Sequence, residues 1–247
     1  MDGKRASNRD RAARIDLAAA HRLAVRHGFS EGVCNHFTLA VPDHDDRFLV
    51  VRHGLHWDEV TATNLLTVDL DGTVVAGEGA VETSAFCIHA PIHAARADAR
   101  CVLHTHMPYA TTLTMLEGAR LEPVHQTALR FVGEVAYDDA YNGLAFDRAE
   151  GERLAAALGD KAVLFLANHG VIVVGPTVGV AYDRLYYLER ACQTLVLALA
   201  TGLPLRRLAP EVVARTKAEY TADAPYEEAH FAALKRLLDR DGVDYAA

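Results

Sequence analysis

The chain has 247 residues, of which 51% are hydrophobic, and its formal net charge is -8 at pH 7. This length suits one large domain, and because no long linker, repeat or break in composition divides it, we expect a single domain over residues 1–247. Lysine and arginine form no basic stripe, which argues against nucleic acid as a partner. The sequence has no apolar run of about 18 residues and no apolar core in its charged N-terminus, so it predicts neither a membrane span nor a signal peptide.

The four cysteines are far apart, and each stands among apolar neighbours: Cys34, Cys87, Cys101 and Cys192. This pattern indicates buried free thiols rather than disulfides. Free thiols persist in a reducing compartment, so we expect a cytoplasmic protein.

The first third of the chain predicts one helix followed by short strands. Apolar residues recur at helical spacing over residues 10–28, and the pattern ends at His27-Gly28, which is a helix stop signal. Short runs typical of strands follow at residues 37–41, 48–51, 66–70 and 73–75. Asp71-Gly72 between the last two runs predicts a tight hairpin.

The rest of the chain mixes helices with strands. Thr83 or Ser84, Asp147 and Thr177 can cap helices, and Pro108 suits the first turn of another. These signals and the apolar spacing predict helices over about 83–97, 108–116, 147–158, 177–200, 210–219 and 225–239. Strands are expected at 99–106, 135–137, 162–166 and 171–174. The order predicts an α/β fold with a mostly antiparallel central sheet and helices on its faces, and the lack of strict strand-helix alternation argues against a Rossmann fold.

Two histidines mark the strand expected at 99–106. His104 and His106 stand two residues apart, so a strand would place both imidazoles on one face, about 6 to 7 Å apart. His169 lies far downstream, and Gly170 after it indicates a tight turn that directs the imidazole off the edge of the sheet. Three imidazoles can hold a divalent ion and leave positions open for a substrate. The sequence therefore predicts a metal site formed by His104, His106 and His169.

Other polar residues near this strand have two interpretations each. His89 and His93 share a helix face, where packing or support of a metal ligand is favoured over metal binding, because no glutamate stands between them. Glu82 is either a helix cap or, if its loop folds over the metal, an acid or base. Arg130 suits the binding of a substrate carboxylate, but it suits a surface ion pair equally well.

Five segments together resemble the class II aldolase and adducin family. They are Gly32-Val-Cys-Asn-His-Phe-Thr38, Gly54-Leu-His-Trp-Asp-Glu-Val60, Val68-Asp-Leu-Asp-Gly72, residues 94–106 and Asn168-His169-Gly170. The resemblance implies a three-layer α/β/α domain around a mainly antiparallel sheet, with His104, His106 and His169 as metal ligands. It also implies a homo-oligomer, commonly a tetramer, with active sites at the subunit interfaces.

One position departs from the pattern of the family. Its sugar-phosphate aldolases and epimerases keep a catalytic glutamate four residues before the helix histidine that matches His89, and Ala85 stands there in this chain. Of the serine pair that helps to bind phosphate, only Thr83-Ser84 remains. This argues against an ordinary sugar-phosphate aldolase. Adducins also lose catalytic residues, but adducin-like domains need not keep the three histidines, which this chain retains.

Three further runs, at residues 106–111, 121–130 and 135–139, resemble metal-dependent decarboxylases of hydroxylated aromatic or pyridine dicarboxylates, including that of 3-hydroxy-2-methylpyridine-4,5-dicarboxylate. In this interpretation Glu82 protonates the ring carbon, with His36 or a water on the metal as the alternative. Arg130 grips the retained carboxylate, and Tyr245 reaches the site of a neighbouring subunit. Further substrate contacts are expected from Asn35, His53, Gly54, His56 and Ser84.

Three hypotheses follow from the sequence. The favoured one is a metal-dependent decarboxylase, followed by an aldolase that cleaves a non-phosphorylated hydroxy-oxo acid and by a non-catalytic adducin-like module. The enzymes would carry one divalent ion per subunit, Mn or Zn, with Fe or Co as alternatives, because three imidazoles accommodate all of them. The expected partners are a small-molecule substrate and further copies of the chain, without nucleic acid or membrane.

Overall fold

One sheet runs through the middle of the protein. The structure is a computed structural model, and it describes residues 2–222 and 226–247, with side chains from residue 7 onwards. The strands are β1 (His36–Ala40), β2 (Arg47–Val51), β3 (Leu65–Asp69), β4 (Val74–Ala76), β5 (Cys101–Thr105), β6 (Val135–Asp138), β7 (Val163–Leu166) and β8 (Gly170–Gly175). They form an 8-stranded sheet in the order β4-β3-β2-β1-β5-β8-β7-β6. Neighbouring strands are antiparallel except β6 and β7, which are parallel. The predicted mainly antiparallel sheet is confirmed.

Helices cover both faces of this sheet. They are α1 (Asp2–His27), α2 (Thr83–Ala95), α3 (Pro108–Thr114), α4 (Arg148–Leu158), α5 (Val178–Leu199), α6 (Pro210–Ala222) and α7 (Tyr226–Arg240). Helices α1, α3, α5 and α7 pack on one face, and α2 and α4 pack on the other. The side chains of β5 alternate between the two cores, since Cys101 and Leu103 face the first and Val102 faces the second. The three-layer α/β/α arrangement is therefore confirmed.

Local signals account for most of the element boundaries. Gly28 follows α1 with φ of 73°, and Gly72 turns the β3–β4 hairpin with φ of 91°, both conformations that glycine adopts without strain. Asp147 and Thr177 cap α4 and α5, and each side chain accepts a backbone N–H from the first turn. The expectation that Thr83 or Ser84 caps α2 is wrong, because the cap is Glu82, whose side chain accepts a hydrogen bond from the amide of Ala85. The interpretation of Glu82 as a helix cap is confirmed.

Two boundaries and one thiol also differ from expectation. Helix α1 begins at residue 2 rather than 10, and β5 covers only Cys101–Thr105, so that His106 lies just beyond it. The cysteines are free, but Cys34 is exposed rather than buried. Within the described residues, none of the helices combines the length and the apolar character that crossing a membrane would need.

Candidate metal centre

Three imidazoles converge where the central strands end. His104 lies in β5, His106 directly follows that strand, and His169 lies in the turn between β7 and β8. The ring centroids are 5.0 Å apart for His104 and His106, 4.7 Å for His104 and His169, and 4.8 Å for His106 and His169. One possible ligand atom from each residue lies within 4.8 Å of the other two. The structure thus brings together the three histidines that the sequence analysis selected.

The turn that carries His169 depends on its two neighbours. Asn168 has a left-handed φ of 56°, which asparagine adopts more readily than most residues. A Cβ atom at Gly170 would lie 2.5 Å from the carbonyl oxygen of Thr105 and 2.7 Å from Cδ2 of His106. Only glycine therefore allows β8 to approach the end of β5 so closely, and this approach places His169 beside the other two imidazoles.

Two of the imidazoles are fixed through their Nδ1 atoms. Nδ1 of His104 lies 3.0 Å from the carbonyl oxygen of Val171, and Nδ1 of His106 lies 2.5 Å from the carboxylate of Glu31. Each Nε2 is then the nitrogen left to act as a ligand. Nε2 of His106 is buried and has no hydrogen-bond partner among the described residues. An unpartnered buried nitrogen beside two further imidazoles fits a divalent ion.

The surroundings of the triad keep its imidazoles neutral, which is the form that binds metals. Burial lowers the pKa of His169 to about 4, and neighbouring His106 acts in the same direction. Burial lowers the pKa of His104 well below its ordinary value, and the surrounding imidazoles lower it further. Both rings are therefore neutral near pH 7, and a neutral imidazole is the form that donates its lone pair to a metal.

A carboxylate, a hydroxyl and an imidazole form a hydrogen-bonded group next to the triad. Oε2 of Glu82 accepts hydrogen bonds from the Ser84 hydroxyl at 2.5 Å and from the Ala85 amide at 2.8 Å. Nε2 of His36 lies 3.3 Å from the Ser84 oxygen, and the His36 ring stacks on that of His104 with centroids 4.9 Å apart. The group therefore connects Glu82 to the imidazole that packs against a candidate ligand.

Glu82 is held in its ionised form. Desolvation acts to raise the pKa of Glu82, but hydrogen bonds from Ser84 and Ala85 and the nearby His36 outweigh it, and the net shift is downward. Burial lowers the pKa of His36 to about 3, although the charge of Glu82 acts in the opposite direction. Near pH 7 the group thus consists of a carboxylate and a neutral imidazole, so Glu82 can accept a proton before it donates one.

Asn35 presents a free donor close to the triad. Its backbone has a left-handed φ of 71°, and its Oδ1 accepts a hydrogen bond of 3.3 Å from the amide of His106. Its Nδ2 is buried and lacks a hydrogen-bond partner among the described residues. A buried donor without a partner suits a polar group of a ligand, in agreement with the substrate contact expected for Asn35.

Arg130 and Tyr245, two residues expected at the site, have partners elsewhere. Nη1 of Arg130 donates to the buried carboxylate of Asp183 at 2.7 Å, and its guanidinium carbon lies 4.0 Å from the ring centroid of Tyr187. Tyr245 is 3% exposed, and its hydroxyl donates to Asp239 at 2.6 Å. These placements favour the ion-pair interpretation of Arg130 and a packing role for Tyr245, because both side chains are already committed within their own chain.

The loop after β2 holds the remaining expected contacts. Nδ1 of His56 accepts the Asp58 amide at 3.1 Å and so caps the 3-10 helix Trp57–Glu59. Gly54 has φ of 81°, and the amide of His53 donates to the Ala80 carbonyl at 2.8 Å. The loop is thereby joined to the segment that leads into Glu82. The substrate contacts of His53 and Gly54 remain predictions, and His56 already has a structural partner.

Glu31 is the residue of this site that the sequence analysis missed. It lies 75 residues before His106, and no rule of spacing connects the two positions. The available signal was an acidic residue near Asn35 and His36, but an exposed carboxylate in a loop is too common to be selected on that ground.

The comparison with known proteins agrees with this geometry. The sequence model of the class II aldolase and adducin N-terminal domain matches residues 15–196. The chain belongs to this family. Members are typically metal-dependent lyases that act on small molecules and often form oligomers.

Relatives of both kinds, aldolase and adducin, resemble the chain. An aldolase II superfamily protein from Pseudomonas syringae is 38% identical, and its crystal structure gives a TM-score of 0.91 over 97% of this chain and 96% of that one. An L-fuculose 1-phosphate aldolase from Glaciozyma antarctica PI12 is 28% identical, with a TM-score of 0.81 over 96% of this chain and 92% of that one. Alpha-adducin of Rattus norvegicus is 38% identical over 193 residues, which are 76% of this chain and 26% of the adducin.

Proposed function

We propose that this protein is a divalent-metal-dependent carbon–carbon lyase in which His104, His106 and His169 hold the ion. The observation that carries the proposal is the convergence of three imidazoles within 4.8 Å, with the buried Nε2 of His106 left without a partner. A bound divalent ion would supply the Lewis acid that stabilises negative charge on a substrate oxygen as the carbon–carbon bond breaks.

Glu82 is the residue that we propose to move the proton. Its pKa is lowered, with the hydrogen bonds from Ser84 and Ala85 outweighing desolvation, so it begins the reaction as a base. It accepts the proton of the substrate hydroxyl, and after the bond has broken it returns that proton to the carbon that has lost its substituent. The same carboxylate thus acts as base and then as acid, and His36 is the alternative donor.

The favoured reaction is the decarboxylation of a hydroxylated aromatic or pyridine dicarboxylate. Ala85 is 1% exposed and stands where the resemblance to sugar-phosphate aldolases calls for a catalytic glutamate, so the usual base of the aldol reaction is missing. Decarboxylation needs one proton delivered to the ring carbon that loses CO2, which a single carboxylate at the start of α2 can supply. The Nδ2 group of Asn35 and the Ser84 hydroxyl are the proposed contacts to substrate oxygens.

The second candidate is an aldolase that acts on a non-phosphorylated hydroxy-oxo acid. The 28% identity to an L-fuculose 1-phosphate aldolase over 96% of this chain favours it. Retro-aldol cleavage also leaves negative charge on carbon and also needs a base for a substrate hydroxyl. In this reaction Glu82 would have to act in place of the glutamate that Ala85 replaces.

Paired product assays separate these activities. Metal-loaded protein is incubated with a panel of hydroxylated aromatic and pyridine dicarboxylates while CO2 is measured, and with non-phosphorylated hydroxy-oxo acids while pyruvate and aldehyde are measured. We expect CO2 from the first panel, loss of that activity with a chelator, and recovery with Zn²⁺ or Mn²⁺. Aldehyde release alone would select the aldolase. No product from either panel, together with no bound metal, would favour an adducin-like module.

A further inference from the structure

Glu189 is a buried acidic residue in the middle of α5. It is 4% exposed, and its neighbours Leu188, Ala191 and Cys192 on the same helix belong to the apolar core. A carboxylate in such surroundings destabilises a protein unless hydrogen bonds compensate for the water that it has lost. The contacts of Glu189 therefore indicate what this position does.

Both carboxylate oxygens of Glu189 accept hydrogen bonds from the first turn of α3. Oε1 accepts from the amide of Tyr109 and Oε2 from the amide of Ala110, each at 2.9 Å. These bonds have only one possible direction, because a backbone N–H is always the donor. Met107 at the start of α3 provides no side-chain cap, and Pro108 has no N–H. Glu189 thus supplies from another helix the cap that the sequence around α3 lacks.

This cap lies next to the backbone that carries His106. Strand β5 ends at Thr105 and α3 begins at Pro108, so His106 stands in the two-residue connection between them. The amide of His106 donates to Asn35 Oδ1, at the longer distance of 3.3 Å. The backbone of His106 is therefore fixed on one side by the end of β5 and on the other by the first turn of α3, which Glu189 holds.

We propose that Glu189 is a positioning residue for the metal centre. It holds the first turn of α3 against α5, and this turn fixes the backbone on the C-terminal side of His106. The imidazole of His106 is thereby kept beside those of His104 and His169, with ring centroids 5.0 and 4.8 Å away. The inference rests on the proposed function, since it concerns the same metal site, and it gives Glu189 an effect on the geometry of the ligands.

Glu189→Gln tests this role with little change in shape. The glutamine keeps one oxygen as an acceptor, but its NH2 group would face a backbone amide that also donates, so one of the two bonds is lost. We expect the affinity for Zn²⁺, measured by competition with a chromophoric chelator, to fall roughly 10-fold, the lower end of the cost of disturbing the support of a ligand. The absorption bands of Co²⁺-loaded protein, which report the geometry of the ligands, should change in position and intensity.

Asp147→Ala is the matched control, because it removes the cap of α4, a helix that carries none of the three histidines. Loss of a helix cap destabilises a protein wherever it occurs, but the control should keep the Zn²⁺ affinity and the Co²⁺ spectrum of the wild type. The same affinity and spectrum in folded Glu189→Gln would overturn the inference. Both readouts need no substrate, so a protein that binds the ion but lacks lyase activity would refute the proposed function and leave this inference standing.

Hydrogen exchange of the wild type tests the cap without any variant. Amides in the first turn of a helix usually lack a partner and exchange quickly. In metal-free protein we expect the amides of Tyr109 and Ala110 to exchange about as slowly as those in the interior of α5, because Glu189 holds them. Fast exchange of both amides would show that the contact does not persist, and this result would also overturn the inference.

Discussion

At the scale of single residues, the Nδ1 contacts of His104 and His106 orient two imidazoles of the candidate metal site. Val171 fixes the ring of His104 through a main-chain carbonyl, which no side-chain substitution removes. Glu31 fixes the ring of His106 through a carboxylate, which can be changed. A carboxylate on the far nitrogen orients an imidazole ligand and increases its basicity. We therefore propose that Glu31 increases the affinity of the site for a metal ion.

Glu31→Gln tests this role. We expect the affinity for a divalent ion to fall roughly 10- to 100-fold, because the amide orients the His106 ring less strongly and leaves it less basic. The measurement is competition for Zn²⁺ with a chromophoric chelator. Glu117→Gln, at another exposed carboxylate, is the control, and equal affinities in the two variants would show that Glu31 does not support the site.

Glu82→Gln tests the proton carrier. We expect turnover to fall about 100- to 10,000-fold, which is the usual contribution of a general acid or base, with metal content unchanged. Glutamine can still accept the hydrogen bonds from Ser84 and the Ala85 amide, so the cap of α2 should persist. Glu78→Gln, at an exposed residue of the same loop, should remain active. Near-normal turnover of Glu82→Gln would exclude Glu82 from the mechanism.

At the scale of elements, the position of α2 depends on its close contact with α4. A Cβ atom at Gly151 of α4 would lie 1.8 Å from the carbonyl oxygen of Cys87 in α2, and a backbone atom cannot move aside cheaply. Glu82 caps helix α2, and the helix carries His89. The contact between the two helices therefore contributes to holding Glu82, the proposed proton carrier, at the sheet.

Gly151→Ala should separate these helices. We expect a loss of unfolding free energy of about 1 to 3 kcal/mol or more from overpacking, measured by urea denaturation. Activity should also fall, because Glu82 moves with α2. Ala156→Ser, on the exposed side of the same helix, should change stability by less than about 0.5 kcal/mol. A stable, active Gly151→Ala protein would refute the close packing.

The sequence predicts the boundaries of the helices better than it predicts the contacts within the candidate site. Asp147, Thr177 and Gly28 act within one turn of chain, so the boundaries that they set were predicted correctly. The pairing of β5 with β1 and β8 is a long-range choice. The strand and turn patterns nevertheless placed His169 with His104 and His106, and the resemblance to a known family implied the same three residues. The contact of Glu31 with His106 joins two distant segments, and no local pattern encodes such a contact.

At the scale of the whole molecule, the number of buried neutral histidines makes stability depend on pH. Burial lowers the pKa of His21 to about 4, with Arg22 acting in the same direction, although a hydrogen bond to Leu17 opposes it. His93 is lowered to about the same pKa, again through burial. In the unfolded chain such residues titrate near 6.5. As the pH falls, the unfolded chain therefore takes up protons before the folded one does.

The stability that these histidines contribute is complete above pH 6.5 and is lost between pH 6.5 and about 4. We expect the unfolding free energy of metal-free protein to fall in this window by about 1.4 kcal/mol per pH unit for each such histidine. Urea denaturation at several pH values measures the slope. His21→Leu removes one of these groups and should reduce the slope by that amount. Equal slopes for the two proteins would contradict the pKa of His21.

The central claim is that His104, His106 and His169 form a metal centre. Its most direct test is calorimetric titration of metal-free protein with Zn²⁺, for the wild type and for His169→Ala. The account predicts about one tightly bound ion per chain for the wild type and the loss of that binding in the variant, as expected when one of three ligands is removed. A wild-type protein that binds no ion, or a variant that binds it equally well, would contradict the account.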